Sequence, residues 1–283
     1  MVFDSSNSWD RQYKRILSKL LSDGSFREDR TGVGVRGLFG YHFVLDVREY
    51  FPLLSLRRLH FRSIAYELFW FLRGDTNVQY LKDNGVSIWD EWADVDGNLG
   101  PVYGYQWNHG KRRVEDKHGL SHYIDYNPLS YVIEEIRNNP MSRRLLVNSW
   151  NQDSLFDMAL PPCHYSFQFY CDGDGGLSIL VNMRSCDVFL GLPFNVASYS
   201  LLLLMVGRLT GRFAKEVHFT LGDYHLYSNH LEASRLVLSR DSFPSCRLGF
   251  ADRDYSSLLD FGYGDLLLEG YVSHPNIRVD IAV

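Results

Sequence analysis

Tyr165-Ser166-Phe167-Gln168-Phe169-Tyr170-Cys171-Asp172-Gly173-Asp174-Gly175-Gly176-Leu177-Ser178-Ile179-Leu180-Val181-Asn182-Met183 reads as two strands joined by a tight aspartate–glycine connection. Another strand is expected over residues 145–150. Outward from this hairpin the period changes. Trp9, Tyr13, Ile16, Leu17, Leu20 and Leu21 recur at helical spacing with Gly24 as a stop. Residues 61–72 carry apolar ridges through Ile64, Leu68 and Phe71, and Leu129, Val132, Ile133 and Ile136 mark a third helix ending before Asn139-Pro140. Long helices interspersed with hairpin-linked strands predict an α+β fold, and with no linker in view residues 1–283 are expected to form a single domain. Gly32, Gly34 and Gly37 precede a strand over 41–45, which places Arg30 on a flexible loop open to phosphate. Residues 109–122 show no hydrophobic period and are expected to be an irregular surface insertion.

Composition narrows the function classes. With 45% hydrophobic, 15% aromatic and 22% charged residues the chain can bury a sizeable core, which excludes general disorder. The net charge of −5 argues against general polyanion binding. The longest apolar run, 200–206, falls short of the ~20 residues that cross a bilayer and reads as a buried core helix. No secretory signal is visible, so a cytoplasmic protein is expected. Cysteines 163, 171, 186 and 246 lack CxxC spacing and are expected to be reduced thiols, neither a disulfide framework nor a zinc site.

Cys163 follows Pro161-Pro162 at the mouth of a strand. The prolines fix the backbone there, which suits a presented nucleophile better than a small core residue. Neighbouring strand residues face opposite ways, so His164 is not the expected base for Cys163. Glu67 has Ile64, Trp70 and Phe71 three or four positions away; its carboxylate either reaches water or is an acid/base group with a raised pKa. Histidines 218, 225 and 230 lack thiolate or carboxylate partners at metal-ligand spacing.

Four blocks carry a resemblance: Asp29-Arg30-Thr31-Gly32, Ser142-Arg143-Arg144, Leu160-Pro161-Pro162-Cys163-His164, and the run from Arg184-Ser185-Cys186-Asp187 to Asn195-Val196-Ala197-Ser198-Tyr199. Together they resemble the cysteine-dependent, folate-using thymidylate synthases, from the first helix to Val283. The resemblance implies a mixed, mainly antiparallel sheet with long core helices. It also implies reductive methylation of dUMP to dTMP, with 5,10-methylenetetrahydrofolate as carbon donor and reductant and no metal. Cys163 would be the nucleophile, with Glu67, Tyr103, His164, Arg184 and Asn195 as further catalytic residues. Arg30, Arg143, Arg144, Arg184 and Ser185 would hold the phosphate, a dianion suited to forked guanidinium groups. Asn195 and Asp187 would serve the nucleotide, and His225 and Tyr227 the ribose. Trp89, Trp92, Asp187, His60 and Val283 would form the folate site, with residues 274–283 as a tail closing over the ligands. A homodimer is implied in which Arg143 and Arg144 serve the partner's phosphate.

Asn195 has a second reading as a capping residue for a helix over 196–206, following Pro193. Ser55-Leu56-Arg57-Arg58, Asn108, Met183 and residues 242–246 depart from the family pattern, the first two near the expected folate tail and its loops. Two rival functions remain at this point. One is a dUMP hydroxymethylase on the same scaffold, with water quenching the methylene intermediate. The other is a non-catalytic RNA-binding paralogue using Lys111-Arg112-Arg113 and the phosphate-site arginines.

Overall fold

The first amphipathic repeat folds as read: Trp9, Tyr13, Ile16, Leu17 and Leu20 are all buried along α1 (Ser8–Asp23), and Asn7 caps it by accepting from the Asp10 N–H at 3.1 Å. The computed structural model describes residues 7–282. After α1 come β1 (Ser25–Arg27), β2 (Val35–Asp46), α2 (Phe61–Arg73), α3 (Gln79–Asp83) and α4 (Tyr103–Asn108). β3 (Gly110–Glu115), β4 (Ser121–Tyr126), α5 (Pro128–Asn138), β5 (Leu146–Asn148), β6 (His164–Cys171) and β7 (Gly176–Asp187) lead to α6 (Gly191–Thr210). β8 (Phe213–Tyr227), α7 (Leu231–Ser239), β9 (Arg247–Phe250) and β10 (Leu266–Glu269) follow.

Six strands form the main sheet in the order β1-β2-β8-β7-β6-β5. Only the β7–β8 pair is parallel, so the sheet is mixed and mainly antiparallel, and the fold is a single α+β domain. Helix α6 lies on β7 and β8, α1 on β2, and α2 on α6. α6 is apolar nearly all round and buried to match, which makes it the core helix of the domain. By length and composition it could cross a membrane, but 78% of its most apolar window is inside the protein.

Two local features set up the site. The β6–β7 register shifts between His164 and Ser166. That bulge lets His164 face the core together with Phe167 and Phe169, which plain alternation forbids. Close approaches matter as well. A Cβ on Gly222 would stand 2.9 Å from the Arg184 carbonyl oxygen, and one on Gly104 2.7 Å from Phe71 Cα. The bare glycines therefore let β8 close on β7 at Arg184 and let α4, which starts at Tyr103, close on α2.

Some expectations need correction. Residues 110–126 are not irregular: β3 and β4 pair from Gly110↔Tyr126 to Glu115↔Ser121. Neither face of this hairpin is buried, so no apolar alternation marks it. α6 starts at Gly191, ahead of the expected start at 196, so Asn195 lies inside the helix and the N-cap position belongs to Leu190.

Candidate active site

Pro162 is buried and Cys163 half-buried immediately before β6. Arg184, across on β7, clamps this turn. Its backbone N–H donates to the Cys163 carbonyl at 2.8 Å, while Nε and Nη2 donate to the Pro162 and Pro161 carbonyls, each at 2.8 Å. The guanidinium lies over the Trp150 ring at 5.4 Å and its remaining donors make no hydrogen bond among the described residues. Arg184 thus orients the cysteine and still offers N–H groups to an anion. Burial pushes the Cys163 thiol above its ordinary value; the Arg184 charge opposes this most, followed by the Tyr103 hydroxyl, and Arg30 adds in the same direction.

Tyr103 accepts from the Cys163 N–H at 2.8 Å and stacks on His164 with centroids 4.0 Å apart. His164 is buried, and its Nδ1 meets the Tyr199 hydroxyl at 2.7 Å. Burial pulls its pKa down to about 3, so it stays neutral near pH 7. It has no hydrogen bond to the Cys163 thiol, in keeping with the reading against a cysteine–histidine dyad.

Glu67, on α2, accepts from Trp89 Nε1 at 2.8 Å. Burial pushes its carboxyl up to about 7, with the Trp89 bond opposing. Glu67 itself is half-buried, so the raised pKa goes with partial access to water. Trp89 is buried, and the half-buried Trp92 meets it edge-on at 5.7 Å. Between α2, α4 and β6 there is therefore a wall of Trp89, Tyr103 and His164 with one titratable carboxyl set in it.

The parallel register places Ser185 beside Asp223 and Asp187 beside His225. His225 Nδ1 meets Asp223 Oδ1 at 3.0 Å and its ring stands edge-on to Tyr227 at 5.3 Å. Asp187 Oδ1 accepts from the Phe189 and Leu190 N–H groups at 2.9 and 3.1 Å, which ends β7 and starts α6 while leaving Oδ2 without a protein partner among the described residues. Asn195 sits one turn into that helix with its Oδ1 near Gly191. The Arg30 loop is tied to the same place. Asp29 accepts from Thr31 Oγ1 and from the Gly34 N–H at 3.0 Å, Gly32 and Gly34 take positive φ, and Ser228 donates from N–H and Oγ to Gly34 O at 2.9 and 3.0 Å. Arg30 is exposed, and its charge acts on both Cys163 and Tyr227.

Other expected residues stand apart. Arg143 and Arg144 are exposed near the β5 edge, and neither guanidinium makes a hydrogen bond or ion pair among the described residues. His60, at the N-cap of α2, has Nδ1 2.7 Å from Ser63 Oγ. Val283 lies outside the described residues. The three histidines disperse: His218 meets Glu216, His225 meets Asp223 and His230 is buried. Among the described residues no three His, Cys, Asp or Glu side chains gather where a metal could sit.

Two departures carry structural duties. Ser55 Oγ and N–H both donate to the buried Asp10, and the buried Arg57 donates to Phe189 O while lying over its ring. Asn108 donates to Phe71 O and Gly104 O at 3.0 and 2.8 Å, joining α2 to α4. Sequence reasoning gave no role to Trp150 or Tyr199. Tyr199 had a signal, because it stands one helical turn after Asn195.

A thiol clamped beside a cation, a neutral buried histidine and a tuned carboxyl behind it, and polar strand ends in front are spread over six elements that span most of the chain. The match found by comparison reaches further still: the sequence model of thymidylate synthase covers residues 11–283, nearly the whole chain, and the protein belongs to the thymidylate synthase family.

Proposed function

We propose that the protein converts dUMP to dTMP, with 5,10-methylenetetrahydrofolate as co-substrate and dihydrofolate as second product. The observation that carries this reading is the Arg184 clamp, which fixes Cys163 while keeping guanidinium donors free beside it. Arg30, Arg184 and Ser185 hold the dianionic phosphate, and His225 and Tyr227 the ribose. The Asn195 carboxamide donates to a uracil carbonyl and accepts from its imide N–H. Cys163 gives its thiol proton up and adds as thiolate to carbon 6, with the Arg184 charge favouring the anion. Addition makes carbon 5 nucleophilic, and after the one-carbon unit is attached, the carbon 5 proton lost and the hydride delivered, the carbon 6–sulfur bond breaks and Cys163 leaves as thiolate. The folate supplies the one-carbon unit and the hydride. Trp89 and the half-buried Trp92 give a flat ring an aromatic surface, so the residues present fit a pterin. Glu67 and Tyr103 handle the carbon 5 proton, a task suited to a carboxyl that titrates near neutrality.

The working unit is a homodimer. Val44, Leu146 and Tyr170 are exposed on strands whose alternate residues Phe43, Leu45, Val147 and Phe169 are buried, so the sheet face away from the helices is open and partly apolar. A second copy on that face would use the unpaired Arg143 and Arg144 at its phosphate. Incubation with dUMP and methylenetetrahydrofolate tests the reading: dTMP and dihydrofolate in equal amounts support it. Hydroxymethyl-dUMP with tetrahydrofolate replaces it by the hydroxymethylase, and an unchanged nucleotide overturns it.

A further inference from the structure

After β10 the chain returns across the molecule to the end of β8. It is pinned first at His274, whose N–H donates to Ser55 O at 2.9 Å and whose Nε2 meets Asp241 O at 2.8 Å. Arg240 Nη1 donates to Pro275 O at 3.0 Å. It is pinned again at Asp280, where one carbonyl oxygen accepts from Asn229 Nδ2 at 3.1 Å and from His230 Nε2 at 2.9 Å. Between the pins Ile277 and Val279 pack on the core, while Arg278 is exposed.

His230 is an unusual side chain to find there. It is fully buried between Phe189, at 5.3 Å, and the edge of Tyr227, at 5.7 Å. A carbonyl only accepts, so the ring carries its proton on Nε2, and Nδ1 is left buried with no partner among the described residues. An unpartnered buried nitrogen is costly, and an apolar side chain would fill the space without that cost. The bond to Asp280 is the side-chain interaction that its polarity serves.

We infer that Asn229 and His230 are positioning residues that latch residues 274–280 beside the nucleotide site. The latch shares its turn with Tyr227, the proposed ribose contact, and to that extent the inference rests on the proposed function. Residues 228–230 thereby join the nucleotide side of the site to residues 274–280.

Arg278 supplies the readout. Trypsin cuts the Arg278–Val279 bond only when the segment leaves the surface, so the initial rate of that cut in ligand-free protein follows the open population. Loss of one neutral hydrogen bond raises it about fivefold. His230→Leu and Asn229→Asp are expected to show that rise, and His230→Gln, which keeps a donor nitrogen at similar reach, to stay near the wild-type rate. Cutting after Arg113, in the distant β3–β4 hairpin, stays unchanged and separates unlatching from general loosening. If His230→Leu fails to fold, Asn229→Asp, at an exposed position, carries the test. Wild-type cutting after Arg278 in the folded donor-lacking variants overturns the latch. In turnover, the same variants raise the KM for reduced folate about fivefold and His230→Gln restores it. Absence of dTMP formation by the wild type would sink the proposed function and leave the trypsin result standing, so the two fail separately.

Discussion

Trp89 donates its indole N–H to Glu67 Oε1 at 2.8 Å, the one hydrogen bond that this carboxyl has in the protein among the described residues. Burial and the bond act in opposite directions. Removal from water favours the neutral acid, the indole favours the anion, and the balance brings Glu67 to about 7. Near neutral pH both protonation states are populated, so the group can accept or return a proton with little driving force needed either way.

Replacing Glu67 by Gln is therefore expected to stabilise the fold and damage turnover. The folded-state pKa is raised above the unfolded value, so the folded protein holds the extra proton between pH 4.5 and about 7, and stability attributable to Glu67 falls as pH rises through that window. Urea unfolding at pH 8 should find Glu67→Gln more stable than wild type by on the order of 2–3 kcal/mol, with the difference vanishing only below about pH 4. Activity should fall by roughly a hundredfold or more at every pH. Equal stability of the two proteins at pH 8 would mean that the carboxylate is better solvated than its surroundings indicate.

Trp89→Phe keeps an aromatic wall and removes only the donor. Without the bond that favours the anion, the Glu67 pKa rises further, so the limb of the pH–rate profile that it produces moves to higher pH. An unshifted limb, in a variant that still turns over, would assign the limb to another group.

Cys163→Ser is a near-isosteric change at a half-buried position, and the fold and nucleotide affinity should survive it. Turnover should fall by roughly a thousandfold or more, since the hydroxyl has no accessible anion near neutral pH. Calorimetric titration with dUMP beside an activity assay separates the two effects. Cys186, the neighbouring thiol on β7, is buried and pushed far above its ordinary value, so it cannot stand in. Substantial turnover by the serine variant would remove the covalent step from the mechanism.

Much of this was legible from periodicity and motif. α1, α2 and α5 follow their apolar spacing, and the residue 165–183 hairpin is β6 and β7. What escaped depended on pairing in three dimensions. The bulge at His164 inserts one residue into a strand whose composition gives no sign of it, yet it decides that His164 faces Tyr103 and Tyr199. The β3–β4 hairpin lies in solvent on both faces and has no apolar alternation to read. Ser55 and Arg57 looked like changes at a ligand site, but their side chains are spent on Asp10 and Phe189. The Asn229–His230 latch joins residues 50 or more positions apart in sequence, beyond the reach of any local pattern.

Subunit exchange tests how far one chain completes its own site. Arg144 is exposed near the β5 edge, and its guanidinium makes no hydrogen bond or ion pair among the described residues, the Cys163 cluster included. If it serves the partner's phosphate, mixing inactive Cys163→Ser protein with impaired Arg144→Ala protein should recover activity. Each heterodimer would hold one site with both defects and one site with neither. With free exchange at equal concentrations, half of all dimers are mixed, so about a quarter of the wild-type activity per site is expected. Size-exclusion chromatography with tagged subunits establishes that exchange has taken place, and each parent variant assayed alone sets the baseline. Mixed dimers that remain at the baseline would place Arg144 in its own subunit's site and remove the shared-arginine arrangement.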